Sequence, residues 1–152
     1  MVPSKPSKPP IGYVNIRVFA HATEDSERVM SAVRNTLPEE LGKSAVFKKT
    51  GLTGHHGNPI ILIEVELSDR QTLMGVLEKI GNSLTALDKE TLSQEISLHL
   101  EKGNLYLRFD KQQAFLGELR FTSNDPIHFK VHFRNKTFDE IVEICRAVGL
   151  LP

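Results

Sequence analysis

Lys48-Lys-Thr-Gly-Leu-Thr-Gly-His-His-Gly-Asn-Pro59 runs directly into Ile60-Ile-Leu-Ile-Glu-Val-Glu-Leu67. In the second stretch Ile61, Ile63, Val65 and Leu67 share one strand face, while Ile60 and Leu62 give way to Glu64 and Glu66 on the other. That alternation reads as a strand buried on both faces at its start and on one face later. Upstream, Ser44–Thr50 reads as a strand feeding the loop Gly51–Pro59. Two strands joined in this way predict an antiparallel pair with a long connection. The loop reads in two ways. It either exposes backbone N–H groups beside His55 and His56 for an anion, or it is a solvated turn.

The same alternation recurs on both sides of this pair. From Gly12 to Ala20, Val14, Ile16, Val18 and Ala20 oppose Tyr13, Asn15, Arg17 and Phe19. The second set suits base stacking. The simpler expectation places it under a helix, with the Arg17 stem lying along apolar surface. Thr23 or Asp25 then caps a helix carrying Val29, Val33 and Leu37, which Pro38 stops. Asp69 is expected to cap a helix with Leu73, Val76, Leu77 and Ile80 on its inner stripe, ending at Gly81. A short helix is expected around Leu84–Leu92. Ile96–Glu101 and Leu105–Asp110 read as strands joined by a turn at Lys102-Gly-Asn104. Asp110 can cap a helical turn over Lys111–Leu116, and Glu118–Phe121 reads as a further short strand.

Ile127–Arg134 is the most regular strand of the chain. Ile127, Phe129, Val131 and Phe133 face one way. His128, Lys130, His132 and Arg134 face the other as a cationic stripe, suited to phosphates or to neutralisation by Glu95, Glu101 or Glu118. The chain ends in a helix over Thr137–Val148, with Phe138, Ile141, Val142, Cys145 and Val148 facing inward and Gly149 ending it. These signals predict an α+β single domain over residues 12–152. It is a mostly antiparallel twisted sheet of five or more strands, with helices packed on one side. Residues 1–11, rich in Pro, Ser and Lys, are expected to be a flexible tail.

The 152 residues carry 19 Lys and Arg against 19 Asp and Glu, so nucleic acid would have to be met by a local patch. Cys145 is the one cysteine, which excludes an internal disulfide and any multi-cysteine metal knuckle. It falls on the inner stripe of its helix and reads as inert packing. No apolar run approaches the roughly 18 residues of a membrane span, and the expected location is the cytoplasm. No cofactor is expected.

Four stretches carry a family resemblance: Phe19-Ala-His-Ala-Thr-Glu-Asp25, Gly54-His-His-Gly-Asn-Pro59, Leu105-Tyr-Leu-Arg-Phe-Asp-Lys-Gln112 and Asp125-Pro-Ile-His128. In this order, over about Tyr13 to Arg134, they resemble the archaeal RNA-binding proteins described as predicted exosome subunits. The resemblance implies a fold similar to that of the ribosomal protein that binds 5S RNA. It also implies a non-catalytic role in RNA processing, with RNA and exosome- or ribosome-related proteins as partners and a homodimer left open. Candidate RNA contacts are Lys48, Lys49, Gly54, His55, His56, Gly57, Asn58, Arg108, Lys111, His128, Lys130, His132 and Arg134, acting mainly on the backbone. His21 and Thr23 form a candidate polar site at a strand end. Two other classes stay open. His21, Glu24, Asp25, His55 and His56 are of metal-ligand type and would suit a metal-dependent hydrolase of RNA or nucleotides, although no His-x-x-x-His or Asp-x-Asp spacing is present. A structural assembly subunit without RNA contact is the third. No metal is expected.

Overall fold

The computed structural model describes residues 9–152. Six strands, β1 (Ile11–His21), β2 (Lys48–Thr53), β3 (Pro59–Leu67), β4 (Leu100–Glu101), β5 (Asn104–Phe109) and β6 (Ile127–Phe133), form one sheet. Their order is β2-β3-β1-β6-β5-β4, with every neighbouring pair antiparallel. The helices are α1 (Ser26–Asn35), α2 (Glu39–Ser44), α3 (Leu73–Ser83), α4 (Ala86–Gln94), α5 (Ile96–His99), α6 (Lys111–Phe115) and α7 (Phe138–Ala147). They pack on one side of the sheet, as the alternation predicts.

The core lies between the helices and one face of the two central strands. Val14, Ile16, Val18 and Ala20 of β1 are buried there beside Ile127, Phe129, Val131 and Phe133 of β6. Phe109 closes the cluster, meeting Phe129 edge-on at 5.2 Å between ring centres. Each such apolar side chain contributes about 1.5–3 kcal/mol on burial. The helix starts follow local chemistry. Asp25 accepts from the Glu27 N–H, and Asp110 from the Gln113 N–H. Thr137 and Glu140 form a reciprocal capping box at α7. Gly149, at φ 82°, ends α7, where the Leu150 N–H donates to the Cys145 carbonyl. Cys145 is buried, and burial pushes its thiol up to about 12.

Several sequence expectations are corrected. β1 begins at Ile11, which is fully buried, so the fold reaches one residue into the expected tail. Residues 1–8 of that tail lie outside the described residues. Pro38 stops α1 but also opens a second helix, α2, that takes in Ser44. The strand expected from Ser44 therefore starts at Lys48, and it continues through Thr53. Asp69 does not cap α3. It closes a turn through its carbonyl to the Thr72 N–H, and the helix starts at Leu73. Gly81 lies inside α3 rather than ending it. Ile96–His99 is a helical turn, leaving only two strand residues in β4. Glu118–Phe121 supplies one bridge, Phe121 to Phe109. Phe138, expected inside, is 44% exposed because it starts α7 beyond the core edge.

Two glycines of α3 meet opposite surroundings. A Cβ at Gly81 would lie 2.7 Å from the Val148 carbonyl oxygen, whereas one at Gly75 would meet only Pro38 Cγ, at 3.8 Å. Gly81→Ala should therefore destabilise the protein by about 1–3 kcal/mol through overpacking. Gly75→Ala should stabilise it by about 0.5–1 kcal/mol through helix propensity. Thermal melts of the two variants should shift in opposite directions.

Candidate nucleic-acid interface

Because the helices gather on one side, alternate residues of every strand are left on the other. The strand register arranges them in rows across the sheet. One row runs Lys48, Glu64, Arg17, His128, Arg108. The next runs Glu66, Asn15, Lys130, Tyr106, and the last runs Tyr13, His132, Asn104. The mixed face of β1 is thus open and does not lie under a helix. The Arg17 side chain is 55% exposed and only loosely paired with Glu64, at 3.8 Å. The aromatic members pack on one another. Tyr13 and His132 stack at 4.8 Å with their planes 18° apart, and Lys130 Nζ lies 5.7 Å from the Tyr13 ring centre. Tyr106 meets His128 at 5.7 Å.

Two hydrogen bonds fix imidazole orientations here. His132 Nδ1–H donates to Asn104 Oδ1 at 2.8 Å, and His99 Nδ1–H donates to the Tyr106 carbonyl at 3.0 Å. Burial, then the charges of Arg108 and Arg17, hold His128 below its ordinary 6.5. Asn15 Oδ1 is a buried acceptor that makes no hydrogen bond. The expected offset of the β6 stripe by Glu95, Glu101 or Glu118 does not arise on its neighbours. β6 lies between β1 and β5, whose side chains in these rows are cationic, aromatic or amide. Acidic groups enter the rows on the outer strands, Glu64 and Glu66 on β3 and Glu101 on β4, where it faces Asn104 at the end of the last row.

The structure separates the other candidates. Lys48 and Lys49 are adjacent on β2 and so face opposite ways. Lys48 shares the open face with Glu64, while Lys49 reaches Glu27 at 3.9 Å. Lys48 is also five residues, roughly 16 Å of strand, from Thr53 at the loop end of β2. The two lysines therefore do not carry one patch into the loop. The loop is shorter than expected, a single turn over His55–Gly57 with His56 at φ 60°. Two of its N–H groups are used internally, Gly54 N–H to the Asn58 carbonyl and Gly57 N–H to the Gly54 carbonyl. That leaves fewer donors for an anion than the glycine content suggests. Arg134 lies just beyond β6 at the opposite end of the sheet, with its stem against Gly12.

Lys111 belongs to a different site. Its ammonium donates to the Phe19 carbonyl at 2.9 Å and to Glu24 Oε1 at 2.9 Å, and lies 2.7 Å from Asp125 Oδ2. His21 Nε2–H donates to the same Asp125 oxygen at 3.1 Å, and the His21 backbone N–H donates to Glu24. Burial alone would raise the Asp125 carboxyl, but hydrogen bonds from Lys111 and His21 outweigh it and hold it below 3.8. His21, Glu24 and Asp125 offer donor atoms within 4.8 Å of one another, the geometry of a metal site. The Lys111 ammonium already lies against both carboxylates. Glu24 was foreseeable as a ligand type, whereas Asp125 was not, because it lies 104 residues along the sequence from His21. Thr23 lies beside this network, in a recess of about 490 Å³ at the start of α1.

The family described as RNA binding matches residues 13–133. An RNA-binding protein of Pyrococcus abyssi is 35% identical over 121 residues, covering 78% of this chain and 79% of that protein. The structure of a DUF54 protein from Methanothermobacter thermautotrophicus superposes with a TM-score of 0.75 at 28% identity, covering 92% of this chain and 98% of that one. A crystal structure of a Sulfolobus solfataricus protein described as DUF54 gives a TM-score of 0.70 at 25% identity, covering 90% and 96%.

Lys111→Met removes the cation but leaves Glu24 and Asp125 facing each other. With the Lys111 side chain 11% exposed, the loss should be about 2 kcal/mol, between that of a surface pair and a buried one. Millimolar Mn²⁺ should raise the melting temperature of this variant and leave the native protein unchanged. Acid titration reads His128 separately. Its contribution is full above about pH 6.5 and falls as pH drops from there through its lowered folded value, since the unfolded chain protonates first. His128→Gln should flatten the stability profile in that window.

Proposed function

This chain belongs to the RNA-binding family, and from that membership we propose that it binds single-stranded RNA across the open face of its sheet. The observation that carries the reading is the composition of that face. Arg17, Arg108 and Lys130 stand among Tyr13, Tyr106, His128 and His132 on three adjacent strands, and among the described residues no helix covers them. Cations hold phosphates, aromatic rings stack unpaired bases, and the combination tolerates any sequence. A neutral protein can do this because its acids lie elsewhere. On this face they flank the three strands, Glu64 and Glu66 on β3 and Glu101 on β4, and at the far end Glu24 and Asp125 are spent on Lys111. Asn15 Oδ1, buried beside Lys130 without a partner, suits a donor such as a 2′-hydroxyl or a base amine.

The same reading makes the protein an accessory, non-catalytic component of RNA processing, such as a subunit of the archaeal exosome. The resemblance of its four sequence stretches to predicted exosome subunits supports that role. The engagement of Lys111 by both carboxylates supports a structural use of the one cluster with metal-ligand geometry among the described residues.

Three phosphate contacts, from Arg17, Arg108 and Lys130, predict a log affinity falling with log salt at a slope of about −2, at roughly −0.7 per contact. Arg108→Ala should reduce that slope by about 0.7. Tyr106→Ala should cost about 1–3 kcal/mol of affinity and leave the slope intact, as removal of one stacked base would. A phosphate near His128 favours its protonated form, so affinity should rise roughly two- to fivefold from pH 7.5 to 6, and less in His128→Gln. Fluorescence anisotropy on one unstructured oligonucleotide measures all of these. Native affinity in both Arg108→Ala and Tyr106→Ala would sink the assignment to this face.

A further inference from the structure

The open face ends in a recess of about 830 Å³ that no motif announced. It lies at the end of the sheet opposite the His21–Asp125 network, where β1 and β5 begin and β6 ends. Its floor is the last row of the face, the stacked Tyr13 and His132. Its rim carries Arg70, Lys102, Arg134 and Lys136, and no acidic residue lines it. These cations come from three separate connections: the turn after β3, the β4–β5 turn, and the link from β6 to α7. Arg70, Lys102 and Arg134 make no ion pair among the described residues, while Lys136 acts on Glu140 without a close contact. The α7 N-terminus is already satisfied by its capping box, so the charge of the recess comes from side chains.

Its shape is also held by specific contacts. A Cβ at Gly12 would fall 3.0 Å from Arg134 Cγ and 3.2 Å from the His132 ring, so a side chain there would press on the Arg134 stem and the imidazole, which lie close over this glycine. The Arg134 N–H is fixed on the Pro10 carbonyl at 2.7 Å, and the Phe133 N–H on the Gly103 carbonyl at 2.8 Å. Those bonds tie the Lys102 turn and the Arg134 segment to the same strand ends.

An internal phosphodiester carries one negative charge, and the rows of the face already offer about one cation for each. Four cations around one recess exceed that need. A terminal phosphomonoester carries about −1.5 to −2 at neutral pH and presents three acceptor oxygens. Guanidinium forks bind such a group in two places at once. We propose that this recess receives the terminal phosphate of an RNA strand whose last bases lie on the Tyr13–His132 platform. The inference rests on the open face as the RNA track, and it adds polarity to it. The strand end is anchored, and the rest leaves across Lys130 and Arg108.

The test uses one unstructured 12-nucleotide RNA in three forms, with a 5′-phosphate, with a 3′-phosphate, or with hydroxyls at both ends. Each competes against an internally labelled copy at near-physiological salt. One phosphorylated form should bind about tenfold more tightly than the hydroxyl form, and which one it is gives the direction of the strand. Arg70→Ala with Lys102→Ala, both on exposed turns, should erase that difference while the hydroxyl form keeps its affinity and the melting temperature holds. Equal binding of all three forms by the native protein would overturn the terminal-phosphate site and leave the face standing. A persistent preference in the double variant would also overturn it. Failure of every form to bind would overturn both readings.

Discussion

The strict alternation of β1 and β6 is the constraint on which the rest of the structure depends. These are the two central strands, so past the register shift between Ile11 and Tyr13 each residue on them is committed to the helical side or to the open side by parity. Every even residue from Val14 to Ala20, and every odd one from Ile127 to Phe133, is apolar and buried. A slip of one residue would send that set to solvent, at a cost of many apolar side chains at once. The register is therefore firmly specified, and with it the order of side chains across the open rows. Tyr13 over His132 and Arg17 beside His128 follow from the core pattern, even though neither pair contributes to the core.

A chain with equal numbers of acids and bases has no long-range field to steer an anion. What the fold supplies is separation. Across the sheet, acids sit on β3 and β4 and cations and aromatics on the strands between them, β1, β6 and β5. Along the sheet, one end gathers Glu24 and Asp125 with Lys111, and the other gathers Arg70, Lys102, Arg134 and Lys136. The effective range of each group is set by screening, about 8 Å at physiological salt. Patches separated by several strands or by the length of a strand act independently, so a neutral protein can still present a cationic surface.

Much of this was legible in the sequence. Alternation and caps gave the antiparallel sheet, the helices near Asp25, Asp69 and Thr137, and the inward Cys145. The errors share a physical cause. Ser44 and Ile96–His99 sit in short helical turns whose residues also suit strands, and the choice was made by packing against neighbours. The open side of β1 was misread because alternation shows which residues differ, and only strand order shows which face the helices cover. Lys48 and Lys49 looked close to the loop because the strand was expected to end at Thr50, whereas it extends to Thr53, which the glycine at position 51 concealed. The recess around Arg70 and Lys136 had no local signal. Its members come from three turns, brought together only by the register of β1, β5 and β6.

The four stretches that carry the family resemblance meet at one end of the sheet, and the third and fourth also place Tyr106, Arg108 and His128 on the open face. His21 and Glu24 come from the first, Lys111 from the third and Asp125 from the fourth. The second is the turn before Ile60, which pairs with His21. Their shared chemistry is one ammonium held by two carboxylates and a carbonyl, with an imidazole on the outer oxygen. This arrangement fixes the exit of β1, the start of α6 and the entry to β6 relative to one another. The clamp holds together the ends of strands whose register the core pattern specifies, close to the row of Arg17, His128 and Arg108. A motif match here thus reports a clamp on the scaffold. The groups that would touch RNA lie one to three rows away, where positive charge and flat rings are needed but no single residue is dictated by geometry. The stretches that identify the family thus hold both this clamp and, in Tyr106, Arg108 and His128, part of the open face.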